Sequence, residues 1–407
     1  MPTCRLTPLL QGKLEGLRVS GRLKGAESVT RAVVAPADGR GPRFLIEGSD
    51  KFFLRMNSNS YLGLSLNTRV LAAEEEGVRR YGTGPGAVRF ISGTWAPHVA
   101  LEQRLAEFHG REAGMLFSSA YATVMGVLPQ LITDRTAVIS DELNHNCIIN
   151  AVALGRPAEK RIYRHLDLDE LERHLASVAK TCARAIIVTD GVFSMRGDHA
   201  PLGAIMKLAT EFDSVFAENV LVVVDDSHGV GGFGRSGRGT EEVTGCGNVD
   251  MLVGTLGKAF GVNGGYVVAS QAIIGYLRET SPFYIYSNPI TPAEAEAAGA
   301  AVDYVDSEEG LGQLDHLRAM TNRFRQGLTR MGLETVPGEH PIVPLLVRDS
   351  ARTARLVAHL RAQGILATGL NYPVVPKGEE EIRFQVSADH TPVDIDEALG
   401  ALECFKA

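Results

Sequence analysis

The stretch Gly254-Thr-Leu-Gly-Lys258-Ala-Phe260 lies between an apolar run, Met251-Leu-Val253, and a glycine-rich run that ends at Gly264-Gly-Tyr266. A lysine in a turn between such runs has three readings: an electrostatic phosphate holder, a nucleophile that forms an imine with a carbonyl cofactor, or a solvated turn residue. The nucleotide loop G-x-x-x-x-G-K-[ST] needs a hydroxyl after its lysine to hold magnesium. Here Ala259 follows Lys258, so that reading loses its metal ligand.

Outward from this turn the chain alternates. Ala137 to Ser140, Ala185-Ile-Ile-Val-Thr189, Leu221-Val-Val-Val224, Asp250-Met-Leu-Val253 and Gly265-Tyr-Val-Val268 are short runs, apolar on both faces as buried parallel strands are. Leu168, Leu171, Leu175 and Val178 recur at helical spacing behind Asp167, with Glu170 placed as its capping partner. Leu202 to Phe212 reads as another helix. The rhythm predicts an α/β fold around an open, mainly parallel sheet. Ligands of such sheets bind at the carboxyl ends of the strands. Asp225-Asp-Ser-His228 follows one strand, and the Lys258 turn follows the next.

After roughly residue 290 the rhythm changes. Helical tracts over Ala293 to Tyr304 and Gln313 to Met331 lead into Pro341 to Val347, a helix from Ala351 to Gln363, Ile365-Leu-Ala-Thr368, Glu381 to Val386 and a last helix from Val393. These elements predict an amino-terminal arm over residues 1–60, a large α/β domain over 61–292 and a small α+β domain over 293–407. Ala37-Asp-Gly-Arg-Gly-Pro42 reads as a turn.

Composition narrows the partners. A chain of 407 residues exceeds one usual hydrophobic core, and 44% apolar with 22% charged residues is globular usage. A net charge of -7 gives no general reason to bind nucleic acid or an anionic membrane. Cys4, Cys147, Cys182, Cys246 and Cys404 are scattered without metal-ligand spacing, which fits reduced thiols in a cytoplasm. The start has too short an apolar stretch for a signal peptide, and no run approaches a membrane span. Small-molecule partners, a cytoplasmic location and no metal are the expectations.

Asp225 sharpens the chemistry. A carboxylate at the end of a buried strand is costly without a cationic partner, and a protonated pyridine nitrogen is such a partner. With His228 and Lys258 at neighbouring strand ends, one set of residues could meet the ring nitrogen, ring hydroxyl and aldehyde carbon of pyridoxal phosphate. The competing pattern is Gly229, Gly231 and Gly234, a G-x-G-x-x-G match after a strand, which would suit an NAD-dependent oxidoreductase. Four residues separate those glycines from the strand, and Gly234 to Gly239 reads as an extended turn rather than a helix start.

Asp225-x-x-His228 with the Lys258 turn resembles the α-oxoamine synthases, fold-type-I pyridoxal-phosphate enzymes that condense an amino acid with an acyl-CoA. The resemblance runs through Asn59-Ser-Tyr-Leu-Gly-Leu64, Arg89-Phe-Ile-Ser-Gly-Thr94, Ser140-Asp-Glu-Leu-Asn-His145, Thr189-Asp-Gly-Val-Phe-Ser-Met195 and Gly234-Arg-Ser-Gly-Arg-Gly239 into the carboxy-terminal part. Tyr372 to Gly378, Ile382-Arg383 and His390-Thr-Pro392 are most similar to the glycine C-acetyltransferases, also called 2-amino-3-ketobutyrate CoA ligases. The implied fold is the aspartate-aminotransferase-like large domain with a small carboxy-terminal domain.

The resemblance implies that Lys258 forms the Schiff base and serves as base, that Asp225 pairs with the ring nitrogen, and that His228 and Ser194 lie near the ring hydroxyl. His145 would stack on the ring. Thr255 and the backbone amides of Ala120 and Tyr121 would hold the phosphate. Ser287 and Asn288 would reach the partner subunit's cofactor, which implies a homodimer with shared sites. Arg383, helped by Asn59, would grip the amino-acid carboxylate. From pattern alone, His145 is a structural histidine or a site histidine, and Arg383 is the polar face of an alternating strand. Ser194, Thr255, Ser287 and Asn288 are turn or capping residues, Asn59 is loop chemistry, and His98 is a cap. The implied reaction joins glycine to acetyl-CoA. Val124, Arg196, Pro85, Ser60, Cys147 and Trp95 depart from the family pattern and are expected around the substrate cavity. They favour, as the alternative, a specialised carbon-carbon bond-forming relative with another amino acid or electrophile.

Overall fold

The computed structural model describes residues 3–20, 22–23, 27–372 and 374–405. Pro373 of the Tyr372 to Gly378 motif, and Met1 and Pro2 of the amino-terminal stretch, lie outside the described residues. Three strands, β1 (Thr30–Val34), β2 (Arg43–Ile46) and β3 (Phe52–Arg55), precede the main sheet. That sheet contains β4 (Ala113–Phe117), β5 (Thr136–Asp141), β6 (Glu159–Tyr163), β7 (Arg184–Asp190), β8 (Asn219–Asp225), β9 (Met251–Thr255) and β10 (Gly265–Ala269).

The order across the main sheet is β4-β10-β9-β8-β7-β5-β6. Strands β9, β8, β7, β5 and β6 pair in parallel, whereas β10 runs antiparallel to both of its neighbours. The connection explains the exception. Residues 256–264 between β9 and β10 are too few for the crossover of about a dozen residues that a parallel return needs.

The apolar runs are continuous because both faces of the sheet are covered. Ala185, Ile187, Val222 and Val224 pack with Leu171, Leu175, Leu202 and Ile205 from helices Leu168–Val178 and Leu202–Asp213. Ile186, Val188 and Val223 pack on the other face with helices Ala120–Leu131 and Asn146–Gly155. Burying each such valine or leucine contributes about 1.5–3 kcal/mol. This double packing fixes the register that brings Asp141, Asp190, Asp225 and Thr255 to one edge of the sheet.

Helix Leu168–Val178 starts as its sequence predicts, since the Asp167 side chain accepts from the Glu170 amide. Glu170 does not complete a reciprocal cap; its carboxylate takes the Arg164 backbone and side chain instead. The Ala37 to Pro42 turn joins β1 and β2, with Asp38 at φ 53° and Gly39 at φ 74°. Two left-handed central residues match the twist of a tight hairpin.

Strands β11 (Ile342–Leu346), β12 (Ile365–Leu366), β13 (Thr368–Leu370) and β14 (Glu381–Gln385) follow helices Pro292–Val305 and Glu308–Arg330. β14 is the centre of an antiparallel sheet of order β11-β14-β13. The single run read at Ile365 to Thr368 divides: β12 pairs in parallel with β3, and β13 pairs with β14. The amino-terminal strands therefore join a sheet with the carboxy-terminal part. Among the described residues no helix is long and apolar enough to cross a membrane.

Candidate active site

A cavity of about 200 Å³ opens at the carboxyl ends of β7, β8 and β9. Ala120, Tyr121, His145, Asp225, His228 and Lys258 line it, together with Cys147 and Asp190.

Lys258 is delivered by the turn after β9. The Thr255 hydroxyl accepts from the Gly257 amide and donates to the Gly264 carbonyl, both at 3.2 Å, and the Gly261 amide closes on the Lys258 carbonyl at 3.1 Å. Buried Leu256, Ala259 and Phe260 anchor the turn from inside. Burial lowers the Lys258 amine to about 8, against the opposing pull of Asp225 and Asp190.

Asp225 ends β8. One carboxylate oxygen accepts from the Ser227 amide at 3.1 Å and the other from the Cys147 thiol at 3.4 Å. Asp190, at the end of β7, accepts from the His145 amide at 3.1 Å, while its second oxygen is buried without a partner. Burial, then the neighbouring Asp225, push the Asp190 carboxyl well above the usual carboxylate range.

His145 is the N-cap of helix Asn146–Gly155, and its Nδ1 stands 2.9 Å from the Cys147 sulfur. Burial lowers its pKa, and the nearby Asp225 opposes that. Burial pushes the Cys147 thiol up. The donor atoms of His145, Cys147 and Asp225 lie within 4.8 Å of one another, a grouping that the scattered cysteine spacing did not suggest. Tyr121 meets the His145 ring edge-on at 6.2 Å.

Ala120 and Tyr121 open helix Ala120–Leu131, where the N-cap Ser119 satisfies the Ala122 amide at 3.1 Å. The first amides of a helix have no intrahelical acceptor and favour an anion. The helix end sits against Gly265 of β10, where a Cβ would lie 2.3 Å from the Ala120 nitrogen. Only a glycine lets this amide cradle form.

Arg383 lies on β14, whose Ile382 and Phe384 enter the core while Arg383 occupies the alternate face. Its Nε donates to the Ser194 carbonyl at 2.5 Å, and its Nη atoms lie 3.3 and 3.4 Å from Asn59 Oδ1. Burial lowers its pKa. Arg383, Asn59 and Ser194 thus form one group beside the cavity, with Ser194 contributing its backbone. His228, also on the cavity wall, holds its Nδ1 2.7 Å from the Tyr61 hydroxyl. Thr255 lies beneath the Lys258 turn. Ser287 and Asn288 follow the short helix Pro282–Ile285 in an outward bend and are not on the cavity wall.

The departures from the family pattern scatter. Val124 is buried in the core under the sheet, away from the cavity where it was expected, because its helix turns that face inward. Arg196 pairs with Asp198 at 2.9 Å and Glu379 at 3.5 Å on an adjoining cleft. The Pro85 carbonyl accepts from the Trp95 indole at 3.1 Å. Cys147 alone among the six lines the cavity. His98 caps its own helix by accepting from the Trp95 amide.

Asp190, Cys147, Tyr61 and His340 were not legible as site residues. Asp190 carried one usable signal, an acid at the end of a buried strand, as at Asp225. The glycines of the dinucleotide-like pattern have a different task. A Cβ at Gly229 or Gly239 would lie 2.2 or 2.0 Å from an Asp226 oxygen. The loop wraps Asp226, whose pKa burial raises to about 7.

The family model for aminotransferase class I and II matches residues 52–402. An 8-amino-7-oxononanoate synthase of Thermosipho melanesiensis is 37% identical over 93% of this chain and 94% of its own. The mitochondrial 2-amino-3-ketobutyrate coenzyme A ligase of Homo sapiens is also 37% identical, over 98% of this chain and 91% of its own. Equal identity gives no preference for the glycine C-acetyltransferases. A solved serine palmitoyltransferase from S. paucimobilis with a bound PLP-myriocin aldimine superposes with a TM-score of 0.86 at 26% identity, covering 97% of this chain and 96% of that one. The chain belongs to the aminotransferase class I and II family and, within it, to the α-oxoamine synthases.

Proposed function

We propose that the protein is a pyridoxal-phosphate-dependent C-acyltransferase that joins an amino acid, glycine first, to an acyl-CoA, acetyl-CoA first, and releases CoA. The observation that carries this reading is the convergence of Lys258, Asp225 and His228 on one cavity, with Arg383 beside it. The residues present fit the cofactor. Asp225 suits a protonated ring nitrogen, the Ala120 and Tyr121 amides behind Gly265 suit a phosphate, and an amine lowered to about 8 suits attack on an aldehyde.

When bound, pyridoxal phosphate supplies an electron sink that stabilises negative charge on the amino acid's α-carbon. Lys258 takes the proton from that carbon, since its lowered pKa leaves a usable fraction of free amine near neutrality. Asp225 holds the proton on the ring nitrogen. His228 donates to the ring hydroxyl, and His145 covers the ring face. Arg383 and Asn59 fix the substrate carboxylate and so orient the α-carbon.

Ser287 and Asn288, directed away from their own cavity, serve the partner's site in a homodimer; exposed Tyr286, Phe90 and Ile91 support such an interface. The free, scattered cysteines support a cytoplasmic setting. A second reading, a specialised relative using another amino acid or electrophile, is favoured by Cys147 on the cavity wall.

The test is thiol release. Glycine, alanine and serine, each paired with acetyl-CoA and longer acyl-CoAs, are assayed for free CoA with the cofactor-loaded protein. Fastest release from glycine and acetyl-CoA supports the first reading. Release only from other pairs selects the second, and no chromophore with pyridoxal phosphate rejects both.

A further inference from the structure

Tyr61 is fully buried, and its hydroxyl is the group that meets His228 Nδ1, at 2.7 Å. The same hydroxyl lies 3.4 Å from Asn59 Oδ1, the atom that also faces Arg383. The Arg383 guanidinium is itself within hydrogen-bonding range of the phenol. Tyr61 therefore stands between the histidine on the cavity wall and the arginine beside it.

Hydrogen counting fixes the direction of this chain. His228 is neutral: burial first, then the cations Lys258 and Arg383 and the rings of His340 and His145, hold its pKa well below the ordinary value. A neutral imidazole carries one N–H. Guanidinium offers only donors, so the phenol oxygen accepts from Arg383 and its single hydrogen goes to the nearer acceptor, His228 Nδ1. That leaves the His228 hydrogen on Nε2, available to the cavity. His340 locks the arrangement from behind. Its Nε2 donates to the His228 carbonyl at 2.8 Å, and its ring meets Tyr61 edge-on at 5.2 Å.

We propose that Tyr61 is a positioning residue for the reaction: it sets the His228 tautomer that offers an N–H to the cofactor's ring hydroxyl, and it links that N–H to the arginine that receives the substrate carboxylate. The inference rests on the pyridoxal-phosphate reading above. Chains of aligned hydrogen bonds polarise one another, so a carboxylate arriving at Arg383 is felt at the ring hydroxyl.

The experiment is a Tyr61→Phe variant, which keeps the ring against His340 and removes the hydroxyl. The absorbance of the cofactor-loaded protein is titrated between about pH 6 and about pH 10, with and without acetate as an unreactive carboxylate. In the unsubstituted protein acetate moves the midpoint; in Tyr61→Phe the midpoint without acetate shifts by about one pH unit and the acetate response is lost. A variant that titrates and responds as the unsubstituted protein does overturns the proposal. If the variant does not fold, the unsubstituted apoprotein decides. Nitrogen-15 spectra of labelled histidine, with His228→Gln to assign the signal, must show His228 protonated at Nε2; protonation at Nδ1 overturns the proposal. Absence of any chromophore with pyridoxal phosphate rejects the cofactor reading instead, and leaves the tautomer measurement to judge Tyr61.

Discussion

Asp190 and Asp225 stand opposite each other on the last rung of the parallel pairing between β7 and β8. Both are buried, and two adjacent buried carboxylates do not both hold a charge cheaply. Asp190 is the one that gives way, since burial and Asp225 together raise its pKa. Asp225 faces the cavity as the charged member, with the Ser227 amide on it.

The two aspartates should respond differently to the same change. Asp225→Asn strands the ring proton, and loss of such a buried pair is expected to lower kcat/KM by at least about a hundredfold. Asp190→Asn replaces a neutral carboxyl and should remain within about tenfold. Steady-state kinetics on both variants would refute the assignment if the order were reversed.

Lys258→Ala removes the only lysine on the cavity wall. Borohydride reduction of the loaded variant followed by mass spectrometry should show no covalent cofactor, and turnover should vanish. A labelled peptide elsewhere in the chain would move the nucleophile.

The lowered amine of Lys258 has a pH signature. Because burial brings it to about 8, the free-amine fraction grows as pH rises toward that value. The rate of apoprotein reaction with pyridoxal phosphate should climb up to about tenfold per pH unit below that midpoint and level above it. Stopped-flow absorbance reads it; a rise that continues toward the ordinary lysine range would contradict the burial argument.

Gly265→Ala drives a Cβ into the Ala120 amide at 2.3 Å. Overpacking of this kind costs about 1–3 kcal/mol. Displacement of the helix end should also weaken cofactor binding by at least about tenfold. Thermal melts of the apoprotein and cofactor titrations separate the two effects.

His165 sits between Asp141 at 3.1 Å and Asp198 at 3.2 Å. Burial alone would lower its pKa, but the two carboxylates outweigh that and raise it to about 9. A raised folded-state value contributes stability that is full below the ordinary histidine pKa and disappears as pH rises through about 9. After allowance for screening the contribution is roughly 2 kcal/mol. His165→Gln should therefore lower Tm near pH 6 and leave it little changed near pH 10 (conditions on either side of the titration).

The main sheet was legible because its strands are buried on both faces, and the runs at β7, β8, β9 and β10 fall within a residue or two of their observed ends. Lys258, Asp225 and His228 were legible because strand ends are where an α/β sheet presents chemistry. The direction of β10 was not, since it depends on the length of a connection. Nor was the division of Ile365 to Thr368, which depends on two partners distant in sequence. Tyr61 and His340 stayed hidden for the same reason: each acts through a contact with His228 that no local pattern encodes.

The residues on the cofactor cavity all fall between positions 120 and 258, whereas the carboxylate-binding group joins Asn59 to Arg383 across 324 positions. Chains emerge from the ribosome amino terminus first, and distant contacts close late. The whole main sheet is complete by Ala269, before β14 has been synthesised. Cofactor loading can thus precede the ability to select a substrate during biogenesis, and a molecule that binds the early part acts as a folding ligand for it while the carboxy terminus is still arriving.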